Sequence, residues 1–88
     1  MSYKIVYSKK AVSHIQNLKS TKLDKKAKNL IELLKENPYQ TPPSYEKLLG
    51  DLSGAYSRRI NLKHRLVYQV DEKEKVVRIL SMWSYYEF

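Results

Sequence analysis

Between Ala11 and Leu34 the apolar residues recur at helical spacing, whereas from Ala55 onward they alternate, and this change of period constrains the fold more than any other feature. Tyr3 to Tyr7 alternates and carries β-branched and aromatic residues, so it reads as an opening strand. Ser8 then caps a helix with Ala11, Val12, Ile15 and Leu18 on one face. Ser20-Thr21 breaks it. A second helix carries Leu23, Ala27, Leu30, Ile31 and Leu34 in its stripe, with Lys22, Lys25, Lys26, Lys28 and Lys35 outside, and Asn37-Pro38 ends it. The short connection makes the two helices an antiparallel pair.

The second half reads as an antiparallel meander. Tyr39 to Ser44, with two consecutive prolines, is an irregular loop leading to a short strand at Tyr45 to Leu48. Ser53-Gly54 is a turn, Ala55 to Asn61 a strand, Leu62-Lys63 a tight connection and His64 to Val70 the returning strand. Asp71 to Glu74 turns the chain into a last strand, Lys75 to Trp83. The expectation is therefore a single α+β domain over residues 1–88, with two N-terminal helices packed on one face of a curved, mainly antiparallel, four- to five-stranded sheet. Strand parity divides the faces. Arg59 shares a side with Ser57 and Ala55, while Tyr56 and Ile60 point the other way; Leu66, Tyr68 and Val70 form the better core face, with Arg65 opposite. One sheet face should be apolar and the other basic and open.

Charge narrows the partners. The 88 residues hold 17 Lys and Arg against 9 Asp and Glu, a formal net charge of +8, which suits a nucleic acid, an anionic membrane surface or an acidic protein, or simply keeps a small domain soluble. There is no cysteine, so neither a disulfide framework nor a thiolate metal site is available. Met1 to Tyr7 lacks the apolar run of a signal peptide and no segment approaches membrane-spanning length, from which a cytosolic protein is expected.

The cations concentrate between Leu52 and Tyr68, where Arg58, Arg59, Lys63 and Arg65 fall on one predicted hairpin. Guanidinium groups stay charged and grip two oxygens at once, which suits phosphate. Hard-cation hydrolysis lacks an Asp-rich cluster or a close His pair, and serine catalysis lacks a nucleophile elbow. Metal-free RNA cleavage remains, because the substrate supplies its own nucleophile in the ribose 2′-hydroxyl. Such chemistry asks for a base, a cation for the phosphorane charge and an acid for the leaving oxygen. Glu46, then Arg59 with Arg65, then Tyr85-Tyr86 can supply them in that order. From spacing alone Glu46 reads rather as a surface carboxylate at the start of a short strand. Arg58, turned away from Arg59, reads as solvated or acid-paired, and it joins Lys47, Lys63, Lys22, Lys25 and Lys26 among the cations expected to contact RNA. His64 reads as structural and His14 has no partner in view. Tyr3, Tyr7, Tyr56 and Tyr68 suit strand packing, and Trp83 anchors the last strand.

An opening strand, two helices, the segments "NPY", "EKLLGDLSG" and "YSRRINLKHRLVY", and an aromatic C-terminus together resemble the YoeB/Txe family of bacterial toxins, within the RelE-like group. The resemblance implies the RelE-like microbial RNase fold and an endoribonuclease that cuts messenger RNA on the ribosome. It places the family's glutamate at Glu46, its arginines at Arg59 and Arg65, and its C-terminal aromatic residue at Tyr86. Tyr85 stands where many members carry histidine, and a phenol with a pKa of about 10 is a poor base at neutral pH, which leaves Glu46 as base and the acid open. Glu87 and Phe88 extend beyond the pair. The resemblance further implies a YefM-like antitoxin whose acidic segment covers the basic face, contact of the lysine-rich second helix with ribosomal RNA, a homodimer or a heterotrimer with antitoxin, and neither metal nor other cofactor. A catalytically weakened homologue that binds RNA or protein is the alternative, and a gyrase-directed toxin of the same fold is a further one.

Overall fold

The computed structural model describes residues 2–48, 54–61 and 64–83. Its elements run β1 (Lys4–Tyr7), α1 (Lys9–Ser20), α2 (Asp24–Glu36), β2 (Tyr45–Lys47), β3 (Ala55–Arg59), β4 (Arg65–Asp71) and β5 (Val76–Ser81). The strands form one sheet in the order β1-β5-β4-β3-β2, antiparallel except for the parallel pairing of β1 with β5. Every predicted element is present, each strand ending one or two residues inside at least one of its expected bounds. The expected turn residue Ser53 and the connection Leu62-Lys63 lie outside the described residues. What closes β3 onto β4 is visible at its flanks: Ile60 N donates to His64 O at 2.8 Å, and His64 N to Asn61 Oδ1 at 2.7 Å.

Ser8 caps α1 as its sequence position implies, accepting from Ala11 N at 3.0 Å. Its hydroxyl also donates to Leu80 O at 2.8 Å, so the cap fastens the helix start to β5. Ala11 and Leu18 are buried and Ile15 half-buried, but Val12 is 52 % exposed. That expectation fails because residue 12 lies one position off a stripe narrower than the sequence pattern implied. α2 begins without a side-chain cap and ends at Asn37, ahead of a buried Pro38. Lys22, with φ of 62°, turns the chain between the helices.

The helices cover one sheet face, burying Leu18, Ala27 and Leu34 against Ile60, Leu66, Tyr68, Val77 and Ile79. The other face is not uniformly basic, as parity alone suggested. A second apolar cluster of Leu48, Ala55 and Val67, with Leu80 against it, crosses that face and separates Arg59 and Arg65 from Gln69 and Arg78. The register shift at Val67/Tyr68 inserts Leu80 as an extra residue in β5, and bulges of this kind bend a strand and increase its twist.

Arg58 departs furthest from expectation. It is fully buried, so it is neither solvated nor placed to touch RNA, and no carboxylate pairs with it among the described residues. Its Nε donates to Tyr68 Oη at 3.0 Å, Nη1 to Pro43 O at 2.6 Å and Nη2 to Pro38 O at 2.9 Å. The carbon Cζ sits 4.9 Å from the Tyr45 ring centre. Burial pushes the Tyr68 phenol up, and the Arg58 contact opposes that shift. A satisfied buried cation thus ties the α2–β2 loop to β3 and β4.

A second tie lies at the surface. Tyr3 and Tyr39 both donate their hydroxyls to Glu72, and Lys75 Nζ approaches Glu72 Oε1 at 3.0 Å. The Tyr39 and Lys75 hydrogen bonds hold the Glu72 carboxyl below its usual range. Among the described residues no helix is long and apolar enough to cross a membrane.

Candidate functional site

β-Strand alternation and register bring four polar side chains to the face away from the helices. Glu46 on β2 lies opposite Ser57 on β3, and Arg59 on β3 lies opposite Arg65 on β4. Arg65 Nη1 meets Glu46 Oε1 at 2.6 Å and Ser57 Oγ at 3.4 Å. These groups, with Pro43 and Ser44, line a cleft of about 320 Å³. Arg65 is the sheltered partner, its side chain 15 % exposed against 59 % for Glu46. The carboxylate is therefore reachable from solvent while the guanidinium that orients it is held in the sheet.

Arg59 is exposed, and its side chain makes no hydrogen bond or ion pair among the described residues. Two guanidinium groups directly across an antiparallel pair repel, and an anion seated between them relieves that repulsion. The cleft thus presents a fixed carboxylate beside a cationic seat for a phosphate. No group of three or more His, Cys, Asp or Glu side chains able to hold a metal ion occurs among the described residues.

β2 is a three-residue edge strand, and its position depends on what lies behind it. Tyr45 packs edge-on against Tyr56 at 5.5 Å between ring centres, and Arg58 holds Pro43 O, three residues before Glu46. Sequence reasoning missed both Arg58 as the support of this wall and Ser57 as a cleft residue. Ser57 was findable, since it shares Arg59's parity and is a small polar residue on a buried strand.

The other expected residues are dispersed. Lys47 is exposed, and alternation sends it to the face opposite Glu46. Lys22, Lys25 and Lys26 are exposed at the helix turn and on α2, and none of them lines the cleft that holds Glu46. Lys63, Tyr85 and Tyr86 lie outside the described residues. His64 stacks on Trp83 with ring centres 4.0 Å apart, a packing role for both. His14 does have a partner: its Nδ1 accepts from Met82 N at 3.1 Å, which joins α1 to the end of β5.

Residues 7–86 match the family model described as YoeB-like toxin of bacterial type II toxin-antitoxin system. The chain belongs to this family. Two curated relatives, each named Toxin YoeB, are similar to it: one from Streptomyces coelicolor at 39 % identity over 56 residues, the other from Synechocystis sp. at 38 % over 56. Each alignment takes in 64 % of this chain, and 67 % and 65 % of the respective relatives. Among solved structures, a YoeB/ParE toxin from Agrobacterium tumefaciens superposes with a TM-score of 0.85 at 26 % identity, covering 94 % of this chain and 99 % of its own. A YoeB-YefM complex from Staphylococcus aureus matches at 32 % identity and a TM-score of 0.80, covering 98 % and 100 %. A mutant of YafQ from E. coli, at 21 % identity and a TM-score of 0.80 over 94 % and 93 %, shares the fold. The YoeB-like chain therefore carries its Glu46, Ser57, Arg59 and Arg65 cleft on a toxin scaffold.

Proposed function

We propose that this YoeB-like toxin is an endoribonuclease that cuts messenger RNA on the ribosome and is restrained by a YefM-like antitoxin. The observation that carries the reading is the contact of Arg65 with the accessible Glu46, with Arg59 in register beside it. Glu46 takes the proton of the 2′-hydroxyl, and the O2′ atom attacks the adjacent phosphorus. Arg59 and Arg65 stabilise the charge on the phosphorane oxygens, and Ser57 adds a neutral donor. The P–O5′ bond breaks, the 5′-oxygen leaves with a proton, and a 2′,3′-cyclic phosphate remains. Tyr85 and Tyr86 are the proposed donors of that proton and the proposed aromatic contact to the base. Because the nucleophile is internal to the RNA, this route needs no metal.

Lys22 and Lys25 supply the proposed phosphate contacts to ribosomal RNA, and the proposed place of action is the cytoplasm. The net charge of +8 supports an acidic segment of the antitoxin as the inhibitory cover. Tyr85, standing where histidine is common in the resembling family, favours a second reading in which the homologue binds but cuts weakly. Ribosome-programmed cleavage by the wild type, Glu46→Ala, Arg65→Ala and Tyr85→His separates the two. Nuclease action predicts cyclic or 3′-phosphate ends, and losses of about 100-fold or more for the first two variants. An intact message with the wild type but cutting by Tyr85→His supports the weakened homologue.

A further inference from the structure

The Glu46–Arg65 cleft does not end at Arg59. A second groove, of about 300 Å³, shares that arginine and is lined also by Lys26, Asn29, Leu30, Leu33 and Ile60. Arg59 and Pro43 line both hollows, so the two are continuous along one wall. Positions 26, 29, 30 and 33 follow i, i+3, i+4, i+7 and therefore form one stripe of α2. Lys26 and Asn29 are exposed, Leu30 and Leu33 half-buried and Ile60 buried. The groove thus combines half-buried and buried apolar side chains with a single carboxamide and two cations.

We propose that this groove seats the nucleobase of the RNA residue next to the scissile phosphate. A base offers two apolar faces and one hydrogen-bonding edge, with a phosphate on either side. Leu30, Leu33 and Ile60 supply the surface for a face, and the Asn29 carboxamide supplies both a donor and an acceptor for the edge. Lys26 and Arg59 reach the flanking phosphates, Arg59 being common to this groove and to the reacting cleft. A purely acidic peptide such as poly-glutamate satisfies the cations but offers no apolar face to Leu30, Leu33 and Ile60. Asn29 then selects which base stands beside the cut. The inference rests on the nuclease reading only for which phosphate is the reacting one; the groove itself is tested by binding.

The test uses the full chain in two arms. In the first, a 2′-O-methylated trinucleotide, unable to attack its own phosphate, is titrated while backbone amide shifts are followed. Shifts are expected at residues 29–33 and at Ile60, together with Ser57 and Arg59. In the second, cleavage positions are mapped on a ribosome-bound message for the wild type and Asn29→Ala. The variant is expected to raise KM about three- to tenfold, with kcat little changed, and to flatten the base distribution at one position beside the cut. An unchanged distribution overturns the subsite. So does silence of α2 in the titration, or a response of α2 to a poly-glutamate peptide and none to the trinucleotide. Shifts on α2 with a wild type that cuts nothing uphold the subsite while sinking the nuclease reading.

Discussion

Replacing Arg58 by methionine tests whether a buried cation without a carboxylate stabilises this fold. Methionine keeps the unbranched stem and much of the volume, so the cavity contribution is small. Three charge-assisted donors are lost, at 2.6, 2.9 and 3.0 Å. Each such bond is worth about 1.5–3 kcal/mol, a gross loss of about 5–9 kcal/mol. Against this, the buried charge no longer has to be desolvated, a relief of several kcal/mol. Pro38 O keeps one partner, since Tyr68 Oη donates to it at 3.2 Å. Pro43 O has no replacement donor from Tyr68, but Pro43 is exposed and its bond to Arg58 only part-buried, so water takes over much of that loss. The net expectation is a destabilisation of about 2–4 kcal/mol, which for a domain of this size lowers Tm by about 10–25 °C. Urea unfolding of wild type, Arg58→Met and Arg58→Lys supplies the measurement, with lysine intermediate because an ammonium cannot fork across two carbonyls. Combining Arg58→Met with Tyr68→Phe should reveal a coupling of about 0.5–3 kcal/mol. A methionine variant within about 0.5 kcal/mol of wild type refutes the reasoning, because apolar packing would then replace the guanidinium without loss.

The remaining predictions concern the surface and the turn before β3. Glu72 has a lowered folded pKa, so its contribution to stability is present above the unfolded carboxylate value and disappears as pH falls through the folded one. Glu72→Gln should therefore lose less stability than wild type between about pH 6 and pH 3 in urea titrations, and parallel acid limbs would contradict the assignment. Gly54 has φ of +93° and nothing within 4 Å of where a Cβ would stand. Gly54→Ala should cost about 1–2 kcal/mol through the backbone alone, with an unchanged urea m-value; a stabilised variant would show that the positive φ is not adopted.

Periodicity revealed the elements because helices and strands are read from local pattern, and these patterns are strong over Ala11 to Leu34 and Leu66 to Leu80. Parity likewise placed Arg59 and Ser57 on one side of β3, as register then bore out. Contacts made at long range were beyond such reasoning. Nothing local says that Arg58 ends among Pro38, Pro43 and Tyr68, since its acceptors are backbone carbonyls that any residue supplies. Val12 misled for a related reason: apolar residues are also common on surfaces. The proximity of Glu46 to Arg65 was expected from family resemblance and not from spacing, because pairing of β2 with β3 decides it.

The parallel pairing of β1 with β5 bears on how the protein is made. Lys4 finds its register partner in Val76, so the first strand waits about seventy residues for its neighbour, and closing so long a loop is entropically expensive. Until β5 has left the exit tunnel, the helices have no Val77 or Ile79 to cover, and the nascent chain exposes its apolar stripes. Assembly of the whole sheet accordingly has to wait for β5 to be synthesised, which makes it slow for a domain so small. A chain cut short before Val76 therefore lacks the partner that its first strand requires, whatever residues its cleft already contains.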